Sequence, residues 1–127
     1  RNNTLSRADL SNAVGSVRNL HYGDVLIKYG PVLNAGKEPL PRVADEAFAS
    51  ELKCDFLKNG DVVFADTAED EAVGKCTELR EVGEMKVVAG LHTMPVRPLC
   101  EFAAGYLGYY LSCVAFHDQL LPLMQGI

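Results

Sequence analysis

Residues 59–75 read NGDVVFADTAEDEAVGK, and this stretch leaves the backbone few choices. Asn59, Gly60 and Asp61 carry turn chemistry, and Val62-Val63-Phe64-Ala65 is an apolar, β-prone run. An acidic polar loop over residues 66–71 comes next, after which Val73-Gly74-Lys75 re-enters an extended segment. The pattern predicts a strand that delivers an ordered polar loop, followed by a return strand. Such a loop presents hydrogen-bonding groups to a partner.

The remaining periodicities predict an α+β fold: a twisted, mainly antiparallel sheet with helices packed at the C-terminal side. Ser6 or Thr4 caps a short turn over residues 7–10. Residues 14–19 read as a short strand, 21–24 as a turn, and the β-branched run Val25-Leu26-Ile27 as a buried strand. Residues 34–41 are loop, since two prolines and a glycine deny regular pairing. Residues 48–56 read as extended. Residues 86–96 read as one strand, with a bulge at Gly90 and an edge position at Pro95. Phe102, Tyr106, Tyr110 and Val114 fall four apart, with Ala103, Leu107 and Leu111 beside them, predicting an apolar helical stripe packed on the sheet. A second short helix over 116–124 is expected to kink or end near Leu121 because of Pro122, with Gly126 as its C-cap.

At 127 residues the chain is expected to form a single domain, residues 1–127, with one real core. Its apolar and charged fractions, 48% and 23%, are those of an ordinary soluble globule, and no apolar run approaches a bilayer span. The polar opening Arg1-Asn2-Asn3-Thr4 reads as mid-protein sequence, so a piece of a longer chain is expected. The four cysteines (Cys54, Cys76, Cys100, Cys113) are widely spaced with no CxxC pair, which favours reduced thiols over a zinc site and implies a cytoplasmic location.

Charge is unevenly spread. Residues 1–43 hold six Lys or Arg against three Asp or Glu, residues 44–84 hold four against twelve, and the last third balances. The net charge of −5 argues against a protein that coats nucleic acid non-specifically, but leaves room for a local basic face from Arg1, Arg7, Arg18, Lys28, Lys37 and Arg42.

No catalytic set stands out. The carboxylates Asp61, Asp66, Glu69, Asp70 and Glu71 lack the spacing of a calcium loop, and Lys75 lies too far beyond Glu71 for the E-x-K pattern of metal-dependent nucleases. Cys113 and His117 stand at helical spacing, but two residues of one surface helix seldom make a nucleophile–base pair. Phosphate-loop, dinucleotide-binding and nucleophile-elbow motifs are absent.

Several segments carry a family likeness. Residues 19–26, NLHYGDVL, resemble the "IHYGDI" segment of target recognition domains in the specificity (S) subunits of type I restriction–modification systems. GDVVF at 60–64 resembles that family's "kkGDilf" strand, and TAEDEAVGK at 67–75 is similar to its "TAEDEtvGK" loop. VAGLHT at 88–93, residues 106–111 and Gln125-Gly126 follow in the family's order. The resemblance implies a non-catalytic subunit that reads one half of a bipartite double-stranded DNA target. It implies modification (methyltransferase) and restriction subunits as partners, no membrane, and no cofactor in this chain. S-adenosylmethionine, ATP and magnesium are expected on those partner subunits. The chain departs from the full family pattern in having one recognition domain and no long spacer helix.

On that reading, Arg7, Arg18, Lys28, Lys37 and Arg42 are the candidate phosphate anchors, with Lys75 at the hairpin's return. Asn2, Asn3 and Asn34 are candidate adenine readers, and Thr67 and the Asp and Glu residues of the 66–71 loop, Glu69 among them, are candidates for base edges, where a carboxylate accepts from cytosine N4. His21, Tyr22 and Tyr29 are expected to line the same surface. Two rival readings remain: a small metal-dependent nuclease or hydrolase built on Asp61, Asp66 and residues 69–71, and a protein–protein module whose acidic stretch 44–84 docks a basic partner.

Overall fold

The computed structural model describes residues 3–68 and 70–123. The fold is α+β, with strands in two four-stranded sheets rather than the one expected. The first sheet has the order β1 (Leu10–Ser11), β4 (Arg42–Val43), β2 (Val17–Leu20), β7 (Lys86–Ala89). The second has the order β3 (Val32–Asn34), β6 (Cys76–Arg80), β5 (Val62–Ala65), β8 (Thr93–Val96). The pairings β2–β7 and β3–β6 are parallel and the others antiparallel.

The hairpin forms as the sequence predicts. β5 and β6 pair antiparallel with Val62 opposite Glu78 and Phe64 opposite Cys76. Every residue of β5 is buried, because both faces of the strand are covered. Val63 and Ala65 enter the main core with Leu20, Val87 and Ala89 of the first sheet. Val62 and Phe64 face Leu107, Leu111 and Phe116 of the C-terminal helices. A strand covered on both sides reads as a continuous apolar run, which is why this one was legible. On the outer face of the first sheet, Val17, Val43 and Val88 pack with Leu5 and Ala49, the latter from α2 (Glu46–Glu51).

Three expectations are corrected. Residues 22–27 form a helix, α1 (Tyr22–Ile27), where Val25-Leu26-Ile27 was expected to be a strand. In a strand, Val25 and Ile27 would share a face; here Val25 is fully buried while Ile27 is 87% exposed, the outcome of helical rotation. Local capping overrides β-branched propensity: His21 accepts from Gly23 N, and its carbonyl accepts from Asp24 and Val25 N–H. Residues 48–51, expected to be extended, likewise belong to a helix, α2, with Asp45 Oδ1 capping Phe48 N at 3.1 Å. Residues 86–96 form two strands in different sheets instead of one bulged strand. The chain crosses at 90–92, where a Cβ on Gly90 would lie 2.5 Å from Leu20 O and where His92 adopts a left-handed φ of 55°. Pro95 does lie on an edge strand, β8.

The C-terminal helices are α3 (Tyr106–Ser112) and α4 (Val114–Leu120), broken at Cys113, with a short 3-10 turn over Leu121–Leu123 containing Pro122. The expected stripe packs on the sheet only in part: Leu107 and Leu111 meet Val62 and Phe64, whereas Tyr106 and Tyr110 are each 54% exposed and Val114 73%. Phe102 stacks on Tyr106 and Tyr106 on Tyr110, both at 6.0 Å between centroids. The packed face is chosen by a buried carboxylate. Glu78 accepts from Gly105 N at 2.6 Å and Gly108 N at 3.1 Å, and a Cβ on Gly108 would collide with Pro31 O. Only a glycine face can approach that closely. The proposed Gly126 cap lies outside the described residues. Among the described residues no helix is long and apolar enough to cross a membrane.

Candidate functional site

The parallel pair β2 and β7 ends on the same edge of the molecule, and the loop after β5 joins it there: Asp66 N donates to His92 O at 3.1 Å. Three connections thereby bring His21 and Tyr22, Asp66 and Thr67, and His92 together. His21 stacks on Tyr22 with centroids 4.8 Å apart, and Tyr22 meets His92 edge-on at 5.4 Å. Thr67 Oγ1 donates to Asp66 Oδ1 at 3.0 Å and lies 3.3 Å from His92 Nδ1. An ionised carboxylate only accepts, so the threonine oxygen is left to accept from Nδ1–H.

Arg7 buttresses this edge. Its guanidinium grips Asp24 with bonds of 2.8 and 3.0 Å and reaches His21 Nδ1 at 3.2 Å. Burial lowers the His21 pKa, and the Arg7 charge lowers it further against the opposing pull of Asp24. A neutral ring is what the cap requires, since Nδ1 must accept from Gly23 N. Lys75 ties the hairpin's return to α1 by donating to Leu26 O at 2.8 Å, which satisfies a carbonyl of the helix's last turn.

Of the sequence-selected residues, Arg7, His21 and Thr67 therefore converge, with Lys75 bound along the same helix. The others lie elsewhere. Lys28 pairs with Glu38 at 3.5 Å at the C-terminal end of α1, and Lys37 is exposed in the turn after β3. Arg18 and Arg42 face each other across β2 and β4, both half-buried, with Arg42 Nη1 donating to Gly15 O at 3.3 Å. Tyr29 is 3% exposed and belongs to the core rather than to a surface. Asn3 is also buried, donating to Asn19 Oδ1 and Ala89 O, so its role is to pin the N-terminal segment. Asn34 is engaged in its own turn through Gly36 N. Arg1, Asn2 and Glu69 lie outside the described residues. Sequence reasoning missed His92; its one signal was its place in the 88–93 segment.

The acidic residues do not form one centre. Asp61 and Asp66 stand at opposite ends of β5, roughly 16 Å of extended chain apart. Asp61 is held by Arg97 at 2.8 and 2.9 Å and by Lys58 N at 2.8 Å. Among the described residues no three His, Cys, Asp or Glu side chains gather as metal ligands. His117 Nε2 lies 3.1 Å from Val73 O, beside the hairpin, while Cys113 is exposed.

Compared with models of protein families, with curated proteins and with solved structures, the chain matches none.

Proposed function

We propose that this chain is a DNA target recognition domain of the type I specificity-subunit kind, reading one half of a bipartite duplex while partner subunits supply the chemistry. The observation that carries the reading is spatial. Three segments that bear the resemblance, 19–26, 60–75 and 88–93, are distant in sequence yet meet at the His21–Tyr22–His92–Thr67 edge. That edge offers short, varied groups: a phenol, a hydroxyl, two imidazoles and the Asp66 carboxylate, able to donate to or accept from base edges. Arg18 and Arg42, like charges set opposite each other, are relieved by an anion such as a phosphate.

The test uses the complete specificity subunit bound to its modification subunits. Duplexes selected from a random library should show a two-part consensus. The triple variant His21→Ala, Thr67→Ala, His92→Ala should lose preference in one half only, each lost base contact being worth about 1–3 kcal/mol. An unaltered consensus, or no enrichment by the natural sequence, overturns the reading.

A further inference from the structure

A second feature lies at the other end of β5. A cleft of about 500 Å³ opens between the 58–61 turn and the 97–102 segment, walled by Lys58, Arg80, Arg97, Glu101, Phe102 and Leu107. Two buried carboxylates hold its arginines. Asp61, its side chain 3% exposed, binds Arg97, and Glu78, 1% exposed, binds Arg80 at 2.7 Å. Both carboxylates are further saturated from behind, Asp61 by Lys58 N and Glu78 by Gly105 N and Gly108 N.

The arginines keep donors to spare. Arg80 commits only its Nε–H, so both terminal nitrogens stay open among the described residues. Arg97 commits Nε and Nη2, the latter also to Phe56 O, which leaves Nη1. The exposed Lys58 ammonium has no side-chain partner among the described residues and completes the wall.

We infer that this cleft is a phosphate-binding site, with Arg80 and Arg97 as pre-oriented forks and Lys58 as the mobile third cation. Planar forks set at two points of one wall suit a tetrahedral oxyanion, which takes bonds from several directions. The buried carboxylates fix the guanidinium planes before the ligand arrives, so little side-chain freedom is lost on binding. Glu101 on the rim and the two carboxylates beneath formally balance the three cations, and Asp55 acts on Arg97 as well, so a single free phosphate is held by directed hydrogen bonds rather than by net charge and binds weakly. The inference does not rest on the DNA reading. A free phosphate and the backbone of a duplex share the chemistry, and the experiment separates them.

The 127-residue protein, labelled with ¹⁵N, is titrated with inorganic phosphate at constant ionic strength, with chloride as control. The Nε–Hε signals of Arg80 and Arg97 and the amides of Asn59 and Gly60 should shift saturably with phosphate and not with chloride. Lys58→Ala, a surface change, should weaken the response about threefold. Arg80→Lys, which keeps the charge but loses the fork, should weaken it by at least as much. Shifts spread equally over Lys28, Lys37 and the cleft, no shift at all, or native affinity in both variants would each overturn the site. Repeating the titration with a short duplex assigns the source. A response at the same signals identifies the phosphate as backbone; a response to phosphate alone identifies it as free, and sets the cleft apart from DNA reading.

Discussion

The two ends of β5 carry the same residue type in opposite circumstances. Asp61, before the strand, is buried, doubly bonded to Arg97 and capped by Lys58 N. Asp66, after it, is half-exposed and bonded through Thr67, with His92 at a loose 3.7 Å. Four apolar residues separate a carboxylate spent on holding the fold from one left available to a partner. Sequence alone does not distinguish them, because the difference lies in what the distant segments 93–97 and 90–92 bring to each end.

Breaking the two ends should therefore give unequal results. Asp61→Ala strands a half-exposed arginine and leaves Lys58 N without its acceptor, and should cost about 2–3 kcal/mol in urea denaturation. Asp66→Ala should stay within about 0.5 kcal/mol, as expected for an exposed, loosely tied carboxylate. Equal losses would erase the contrast.

A smaller effect sharpens the exposed end. The His21 pKa is lowered by burial and by Arg7, so the folded state binds the proton less readily than the unfolded chain. The cap's contribution is then complete above about pH 6.5, the ordinary histidine value, and is lost as pH falls from there through the lower folded value. Protonated Nδ1 has no lone pair for Gly23 N–H, so α1 should loosen as it titrates. Denaturation midpoints of the natural protein should fall between about pH 7.5 and 5.5 by more than those of His21→Asn, which caps without titrating in that range. Parallel midpoints would remove His21 as the source.

Much of the fold was legible where burial is symmetric or turns are explicit. The hairpin, the short turn over Arg7–Asp9 (held by Asp9 Oδ2 accepting from Ser6 N rather than by a Ser6 side-chain cap), the edge position of Pro95 and the helix end before Pro122 follow from local chemistry. What was illegible depends on long-range polar contacts. The aromatic stripe of α3 had the stronger apolar pattern, yet Glu78, 27 residues before Gly105, draws the glycine face inward and leaves the rings in solvent. Val25 and Ile27 look alike in sequence and part company because His21 nucleates a helix. Of the candidate site, His21 and Thr67 fall in segments that carry the resemblance; Arg7 was chosen by its charge as a phosphate anchor and is instead tied to Asp24, and His92 enters through the parallel pairing of β2 and β7, which no local signal announces.

The central claim is that the His21–Tyr22–His92–Thr67 edge meets base pairs. Its most direct measurement places a photo-crosslinking residue at position 92, and separately at exposed Tyr109, in the complete assembly on its selected target. Crosslinks from position 92 to bases within one half-site, with none from 109, are predicted. Crosslinks from 109 alone, or from neither position while the assembly remains bound to DNA, would contradict the account.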